Sequence, residues 1–109
     1  MADKIIHLTS KAQHDELIKG NPGKIVLIDF HATWCGPCHM IAPEYQNLAN
    51  ANPGIIFTKV DVDAVPELSE QYGIRAMPTF KVVKDGNETD ELRGASKDKL
   101  NALIEKHKA

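Results

Sequence analysis

Hydrophobic and polar positions along the chain follow patterns that predict strands and helices in turn. Residues 5–8 indicate a short first strand, and Ser10 with Gln13 three positions later predicts the capping box of a first helix. That helix should stop before the turn residues 20–23. Residues 25–30 are apolar on both faces, which is typical of a central strand that helices cover on both sides.

The middle of the chain predicts a long helix, a strand and a short helix. Apolar residues of the long helix recur every three or four positions, at Cys38, Ile41, Tyr45 and Leu48. Pro43 lies inside this helix and predicts a kink, because proline lacks a backbone donor. Residues 55–60 indicate a third strand. Residues 66–72 indicate a short helix that begins with proline and is closed by Gly73.

The last third of the chain predicts a hairpin and a final helix. Residues 79–84 and 88–93 flank Asp85-Gly86, a strong signal for a tight turn between antiparallel strands. Ser96 should cap a helix with an apolar stripe at Leu100, Leu103, Ile104 and His107. The order βαβαβαββα predicts an α/β fold, with a mixed central β-sheet flanked by helices on both faces.

Length and charge narrow the class of protein. With 109 residues, 42% of them hydrophobic and 26% charged, the chain has room for one domain, residues 1–109. A net charge of -2 favours neither nucleic acid nor anionic lipid. The longest apolar run, residues 25–28, is far shorter than the ~20 residues of a membrane helix, and residues 1–7 show no targeting signal. We therefore expect a cytoplasmic protein without a membrane or nucleic-acid partner.

The candidate chemistry lies in a Cys-x-x-Cys motif directly after the predicted central strand. Thiols stay reduced in the cytoplasm, so such a pair is expected to be reactive or to bind metal. Unpaired amides at a helix N-terminus favour a thiolate, which makes Cys35 the attacking group. Cys38 lies one turn further on the apolar stripe and should stay shielded until it resolves the mixed disulfide. Pro37 suits the first helical turn and stiffens the loop between the sulfurs.

The chain resembles the thioredoxin family across nearly its whole length. The shared motifs, in the order of the family, are Ile28-Asp29-Phe30, Trp34-Cys35-Gly36-Pro37-Cys38, Met40-Ile41-Ala42-Pro43, Val60-Asp61-Val62-Asp63, Tyr72-Gly73-Ile74-Arg75 and Met77-Pro78-Thr79. The resemblance implies the thioredoxin fold and an enzyme that reduces disulfide-bonded protein substrates through a Cys35–Cys38 disulfide. It also implies that thioredoxin reductase re-reduces the protein with NADPH. We expect a monomer with no bound cofactor and no metal.

Two further residues are candidates for proton transfer. Asp29 closes an apolar strand and is either buried or an exposed carboxylate at the strand end. Burial would raise its pKa, so that it could exchange a proton with the resolving thiol near neutral pH, and the family carries a buried Asp here. Lys59 matches the family lysine that approaches this Asp, or it is simply a solvated strand residue. The Gly36-Pro37 dipeptide resembles that of reducing members of the family.

Substrate contacts are expected on one surface around the dithiol, at Trp34, Ala76, Met77, Pro78, Gly94 and Ala95. By resemblance Pro78 follows a cis peptide bond and faces the disulfide, although proline is also tolerated at the start of a strand. The backbone of residues 76–77 would pair with an extended substrate. Trp34 could instead be a core aromatic residue, and residues 94–95 could be only a turn.

Histidine at position 31 departs from the family, in which many members carry a second Trp there. His31 could stabilise the Cys35 thiolate or could be a hydrogen-bonded structural residue. We interpret His39 as a solvated helix residue, and Asp61 and Asp63 as solvated carboxylates at a strand end. Two alternatives to a reductase stay open: a binding module whose cysteines do not turn over, and an oxidising or isomerising enzyme.

The motif also has a metal and a haem interpretation, and both can be tested directly. Structural zinc needs four ligands, and no second cysteine pair or His-x3-5-His spacing is present. Residues 35–39 match the Cys-x-x-Cys-His haem motif literally. The purified protein should nevertheless show no Soret band in its absorption spectrum and no stoichiometric metal by elemental analysis. Either signal would contradict the dithiol interpretation.

Overall fold

The computed structural model describes residues 4–108 and has the predicted order of strands and helices. The strands are β1 (Ile5–His7), β2 (Ile25–His31), β3 (Ile55–Asp61), β4 (Thr79–Lys84) and β5 (Asn87–Arg93). The helices are α1 (Lys11–Lys19), α2 (Gly36–Ala51), α3 (Pro66–Gln71) and α4 (Lys97–His107). Residues 1–3 and 109, which belong to the predicted domain and to the segment searched for a targeting signal, lie outside the described residues.

The strands form one five-stranded mixed sheet with the order β1-β3-β2-β4-β5. The first three strands in this order are parallel, whereas β4 is antiparallel to β2 and β5 is antiparallel to β4. Five consecutive residues of β2, 26–30, are buried. The prediction of a central strand covered on both faces is therefore confirmed.

Side chains on the two faces of the sheet enter two separate cores. Leu27 packs with Tyr45 and Phe57 in the core that α2 and α4 cover. Its neighbour Ile28 points to the opposite face and joins Leu68 in the core under α1 and α3. This alternation is the two-residue period of a strand, and it places helices on both faces as predicted. The chain leaves the carboxyl end of β2 and enters α2 after only four residues.

Serine side chains cap the N-termini of α1 and α4, and α2 continues through Pro43. The Ser10 hydroxyl accepts from the Gln13 N–H at 3.1 Å, while the Gln13 side chain reaches Thr9 at 2.8 Å, so only half of the predicted capping box forms. The Ser96 cap is confirmed.

Among residues 4–108 no helix is long and apolar enough to cross a membrane.

A tyrosine hydroxyl ties α2 to the centre of the sheet. The Tyr45 side chain is fully buried, and its hydroxyl donates to the backbone carbonyl of Thr58 at 2.7 Å. We expect Tyr45→Phe to destabilise the protein by about 1–2 kcal/mol, because the carbonyl loses a donor at a site that water does not reach. Urea unfolding of the oxidised protein measures this loss. An unchanged unfolding midpoint would show that the hydroxyl contributes nothing.

Candidate active site

A disulfide joins Cys35 to Cys38 where α2 begins, with the two Cα atoms 5.3 Å apart. Cys35 is the N-cap residue, and its Sγ accepts a hydrogen bond from the backbone N–H of Cys38 at 3.2 Å. The predicted placement at a helix N-terminus is confirmed. In the reduced protein the same N–H and the positive end of the helix dipole favour a thiolate on Cys35.

The disulfide is covered by apolar side chains rather than exposed. Cys35 and Cys38 are each 5% exposed, and they pack with Ala32 against Val62 and Met77. Cys38 is therefore shielded as predicted, and in the disulfide form Cys35 is covered to the same extent. What distinguishes the two sulfurs is hydrogen bonding, because it is the Cys35 sulfur that the helix terminus contacts.

The loop before β4 faces the disulfide, as the family resemblance implied. The Cys35 Sγ lies 3.6 Å from the carbonyl oxygen of Met77. The Met77–Pro78 peptide bond is cis, and Pro78 is buried. The Thr79 hydroxyl donates to the Ala76 carbonyl at 2.7 Å and so holds the loop in place. Residues 76–78 thus place their backbone beside the reactive sulfur.

A second loop meets the first one through its backbone. The N–H of Gly94 donates to the Pro78 carbonyl at 2.9 Å. Gly94 has a φ of 101°, which a residue with a Cβ rarely adopts, so this turn requires glycine. Gly94 and Ala95 are exposed, as is Ala76. The residues predicted to bind substrate on these two loops are therefore neighbours in space.

An exposed tryptophan borders the site. Trp34 is 68% exposed, which excludes the alternative of a core residue. Its Nε1 donates to Asp63 Oδ2 at 2.9 Å, and the Asp63 N–H donates to Asp61 Oδ1 at 2.9 Å. Asp61 and Asp63 are therefore more than the solvated carboxylates that the pattern predicted, because Asp63 orients the indole. Met40 is a further exposed apolar residue, which the sequence pattern did not predict. It lies on α2, off the apolar stripe, and is 82% exposed.

Asp29 is buried under α2, with only 1% of its surface exposed. Burial raises the pKa of its carboxyl group from 3.8 to about 7, and the charge of Lys59 opposes this rise. Lys59 lies opposite Asp29 in the register of β2 and β3. The Asp29 Oδ1 has no hydrogen-bond partner among the described residues. The interpretation of Asp29 as a buried acid is confirmed, and its carboxyl group titrates near neutral pH.

Two histidines lie near this end of β2. His31 is half-buried, and burial lowers its pKa, helped by the charge of Lys59. His39 is an exposed residue of α2, as predicted, and its Nε2 also bonds to the Thr33 carbonyl at 2.7 Å. Within residues 4–108, no group of three or more His, Cys, Asp or Glu side chains could hold a metal ion.

These contacts define a class of protein. A redox-active cysteine pair caps a helix that follows the central strand of a mixed sheet, with a cis-proline loop beside it and an acid buried behind it. Such a site exchanges two thiols for a disulfide, which makes the protein a thiol-disulfide oxidoreductase.

Comparison with known proteins identifies the family. The thioredoxin family model matches residues 4–106. A thioredoxin H-type from Chlamydomonas reinhardtii is 54% identical, with 100% of this chain and 99% of that protein covered. The thioredoxin structure from Fasciola hepatica superposes with a TM-score of 0.92 at 43% identity, covering 95% of this chain and 100% of the other. For Plasmodium falciparum thioredoxin the TM-score is 0.90 at 45% identity, over 94% and 99% of the two chains. The chain belongs to the thioredoxin family and has the thioredoxin fold.

The raised pKa of Asp29 predicts that stability changes with pH. The pKa of Asp29 is higher in the folded state than in the unfolded state, so protonation of its carboxyl group favours the folded state. This effect is fully present when the pH is below the unfolded pKa. This contribution, on the order of 4 kcal/mol, is lost as the pH rises through about 7. Asp29→Ala instead leaves a small cavity that costs roughly 1–2 kcal/mol at any pH. The variant should therefore be more stable than the wild type by about 2 kcal/mol at pH ~8, and less stable at pH ~4.

Urea unfolding of both proteins across this pH range measures the difference. Glu16→Ala, which removes an exposed carboxylate on α1, serves as the control and should show no crossover. A stability difference between Asp29→Ala and the wild type that does not vary with pH would contradict the raised pKa.

Proposed function

We propose that the protein reduces disulfides in other proteins and is re-reduced by a thioredoxin reductase, with NADPH as the ultimate electron donor. The observation that carries this proposal is the hydrogen bond from the helix N-terminus to the Cys35 sulfur. By stabilising a thiolate, that contact makes Cys35 the nucleophile that attacks a substrate disulfide, although it does not set the direction of electron flow. The Gly36-Pro37 dipeptide supports a reducing direction through its resemblance to reducing members of the family. A cytoplasmic monomer that acts as one domain, residues 1–109, fits this role.

The reaction proceeds in two exchanges. The Cys35 thiolate attacks one sulfur of the substrate disulfide, which forms a mixed disulfide and releases the other substrate sulfur as a thiolate. Cys38 then attacks the Cys35 sulfur, which forms the Cys35–Cys38 disulfide and releases the second substrate thiolate. Two electrons pass to the substrate, and the protein is left oxidised. Cys38 must lose its proton before it attacks.

Asp29 is the group we assign to that proton. Its carboxyl is buried, and a pKa of about 7 lets it exist in both protonation states near neutral pH. As a carboxylate it accepts the proton of Cys38, and as an acid it returns a proton in the reverse reaction. Lys59 supports this role, because its positive charge holds the pKa of Asp29 lower than burial alone would.

The substrate lies across the two loops and the tryptophan, at Trp34, Ala76, Met77, Pro78, Gly94 and Ala95. Backbone groups dominate this surface, so it accepts an extended segment of many sequences. Trp34 adds a large apolar contact that the Asp63 hydrogen bond holds in one orientation. The surface suits a protein substrate better than a small molecule, because Trp34, Ala76 and residues 94–95 are exposed and come from three segments of the chain.

The two cysteine variants should separate attack from resolution. With Cys38→Ser, Cys35 attacks a disulfide-bonded protein such as insulin but nothing resolves the product, so a mixed disulfide accumulates and turnover stops. Cys35→Ser should trap nothing. Mass spectrometry of the adduct and NADPH oxidation in the presence of a thioredoxin reductase measure the two outcomes.

The wild type is the positive control for turnover. If Cys35→Ser were the variant that traps substrate, the nucleophile would be assigned to the wrong sulfur. A wild type that exchanges thiols with insulin but consumes no NADPH would favour the oxidising or isomerising alternative. The absence of any exchange would favour a binding module.

A further inference from the structure

A row of exposed apolar residues runs from the dithiol along the outer side of α2. Trp34, Pro37, Met40 and Pro43 recur at every third position, and all four are exposed. Residues three apart on a helix are neighbours on its surface, so the members of the row that belong to α2 adjoin one another. The substrate surface proposed above includes only Trp34 of these four. We call the four residues the apolar row.

The apolar row is separate from the face with which α2 packs against the sheet. The buried residues of α2 begin with Cys38 and continue through Tyr45. Met40 follows Cys38 by two residues, which places it about 200° further around the helix. Its side chain is 82% exposed, so it contributes little to the hydrophobic core. The packing of the fold therefore gives no reason for an apolar side chain at this position.

Large exposed apolar side chains are concentrated beside the dithiol. The described part of the chain has three of them, Ile6, Trp34 and Met40. Trp34 directly precedes Cys35, and Met40 follows Cys38 by two residues. Single exposed apolar residues are common on protein surfaces and need no explanation. A row that begins at the reactive cysteines is different, because a substrate must approach the same place.

Charged side chains do not interrupt the row. Residues 34–43 contain no Asp, Glu, Lys or Arg. The next residue, Glu44, accepts a hydrogen bond from the Asn101 side chain at 2.7 Å and lies 3.8 Å from Lys97 Nζ, so its carboxylate is held toward α4. Asp63 meets the row at the Nε1 of Trp34. The row therefore offers a partner apolar contacts rather than an ion pair.

The chemistry of the dithiol fixes how close a substrate comes to the row. In the mixed disulfide, a substrate sulfur lies about 2 Å from the Cys35 sulfur. Met40 lies four residues after Gly36, and a rise of about 1.5 Å per residue places it about 6 Å further along the helix axis. An extended substrate chain advances about 3.3 Å per residue. A substrate side chain two or three residues from the bonded cysteine therefore reaches Met40.

We propose that the apolar row, with Met40 at its centre, binds apolar side chains that flank the cystine of a disulfide-bonded protein substrate. The proposal rests on the protein substrates proposed above and adds a residue preference. The row continues the surface that Trp34 provides, so one docked substrate covers both. Methionine suits substrates of many sequences, because its unbranched thioether side chain adapts to apolar partners of different shape.

The test uses two disulfide-bonded peptides that differ only at the positions two and three residues from the cystine, which are Leu in one peptide and Ser in the other. Reduction by the reduced protein is followed in a single turnover, so no reductase takes part. The ratio of the Leu-peptide rate to the Ser-peptide rate measures the apolar preference. The wild type should reduce the Leu peptide faster. Changes in the reactivity of Cys35 affect both peptides and cancel in the ratio.

The variant Met40→Gln keeps an unbranched, helix-forming side chain but makes its end polar. It should lower the rate ratio about fivefold, which corresponds to about 40 Å² of apolar surface that is no longer buried against the substrate. The Ser-peptide rate should stay unchanged, and Trp34 should retain its own share of the preference. Met40→Leu should keep the ratio of the wild type, because it restores an apolar side chain.

The matched control is Ile6→Gln, which removes another exposed apolar side chain. Ile6 lies on β1 and is 37% exposed. Its neighbour Ile5 belongs to the core under α2 and α4, so Ile6 points to the opposite face of the sheet. Ile6→Gln should therefore show the rate ratio of the wild type.

An unchanged ratio in Met40→Gln would overturn the proposal, as would equal rates for the two peptides in the wild type. An equal fall of both rates in Met40→Gln would also overturn it, because Met40 would then act on the dithiol and not on substrate recognition. The Ser peptide reports on the proposed function itself. If the wild type reduces neither peptide, reduction of protein disulfides fails as a function. If it reduces both at one rate, only the apolar preference fails.

Discussion

The hydrogen bond from the Cys38 N–H to the Cys35 sulfur is the contact on which the chemistry of this protein depends. It exists because α2 begins at residue 36, which leaves the first amides of the helix without partners inside it. The start of α2 is positioned by β2, which is buried on both faces, and by Tyr45, which ties the helix to the sheet. The packing of β2 and the contact of Tyr45 therefore hold the Cys38 N–H against the Cys35 sulfur.

Asp29 is a residue of the site that lowers the stability of the fold. The residue is 1% exposed, and its Oδ1 has no hydrogen-bond partner within residues 4–108, so ionisation of the carboxyl group lowers the stability of the fold. The same burial gives its carboxyl group a pKa of about 7, where it can accept and return protons at neutral pH. The rest of the central strand is apolar, and the two cores that flank the sheet offset this cost. The fold thus tolerates one unfavourable group at the position where proton transfer requires it.

The border of the site is organised by contacts between segments that are distant in the chain. Asp63 orients Trp34 from the turn after β3, and Gly94 bonds to Pro78 from the end of β5. The reactive sulfurs come from one short motif, whereas the surface that meets a substrate is assembled from several strand ends and loops.

The sequence by itself determined the order of the elements and the central position of β2. It also determined the location of the dithiol at a helix start. These depend on local pattern: apolar residues on both faces of residues 25–30, the periodic stripe after residue 35, and the turn at Asp85-Gly86. Asp29 could be placed in the interior for the same reason, because its strand neighbours are apolar.

Only the tertiary structure decided the exposure of the cysteines and the partners of the polar side chains. Cys35 is covered by Met77, and Trp34 is bound by Asp63, which lies 29 residues away in the sequence. The bond between His39 and the Thr33 carbonyl depends on how the chain turns between β2 and α2. The periodicity of the sequence predicts which face of a strand or helix a side chain lies on. It does not predict which residue of another segment contacts that side chain. That pairing is set by strand register and loop geometry, which arise only when the whole chain packs.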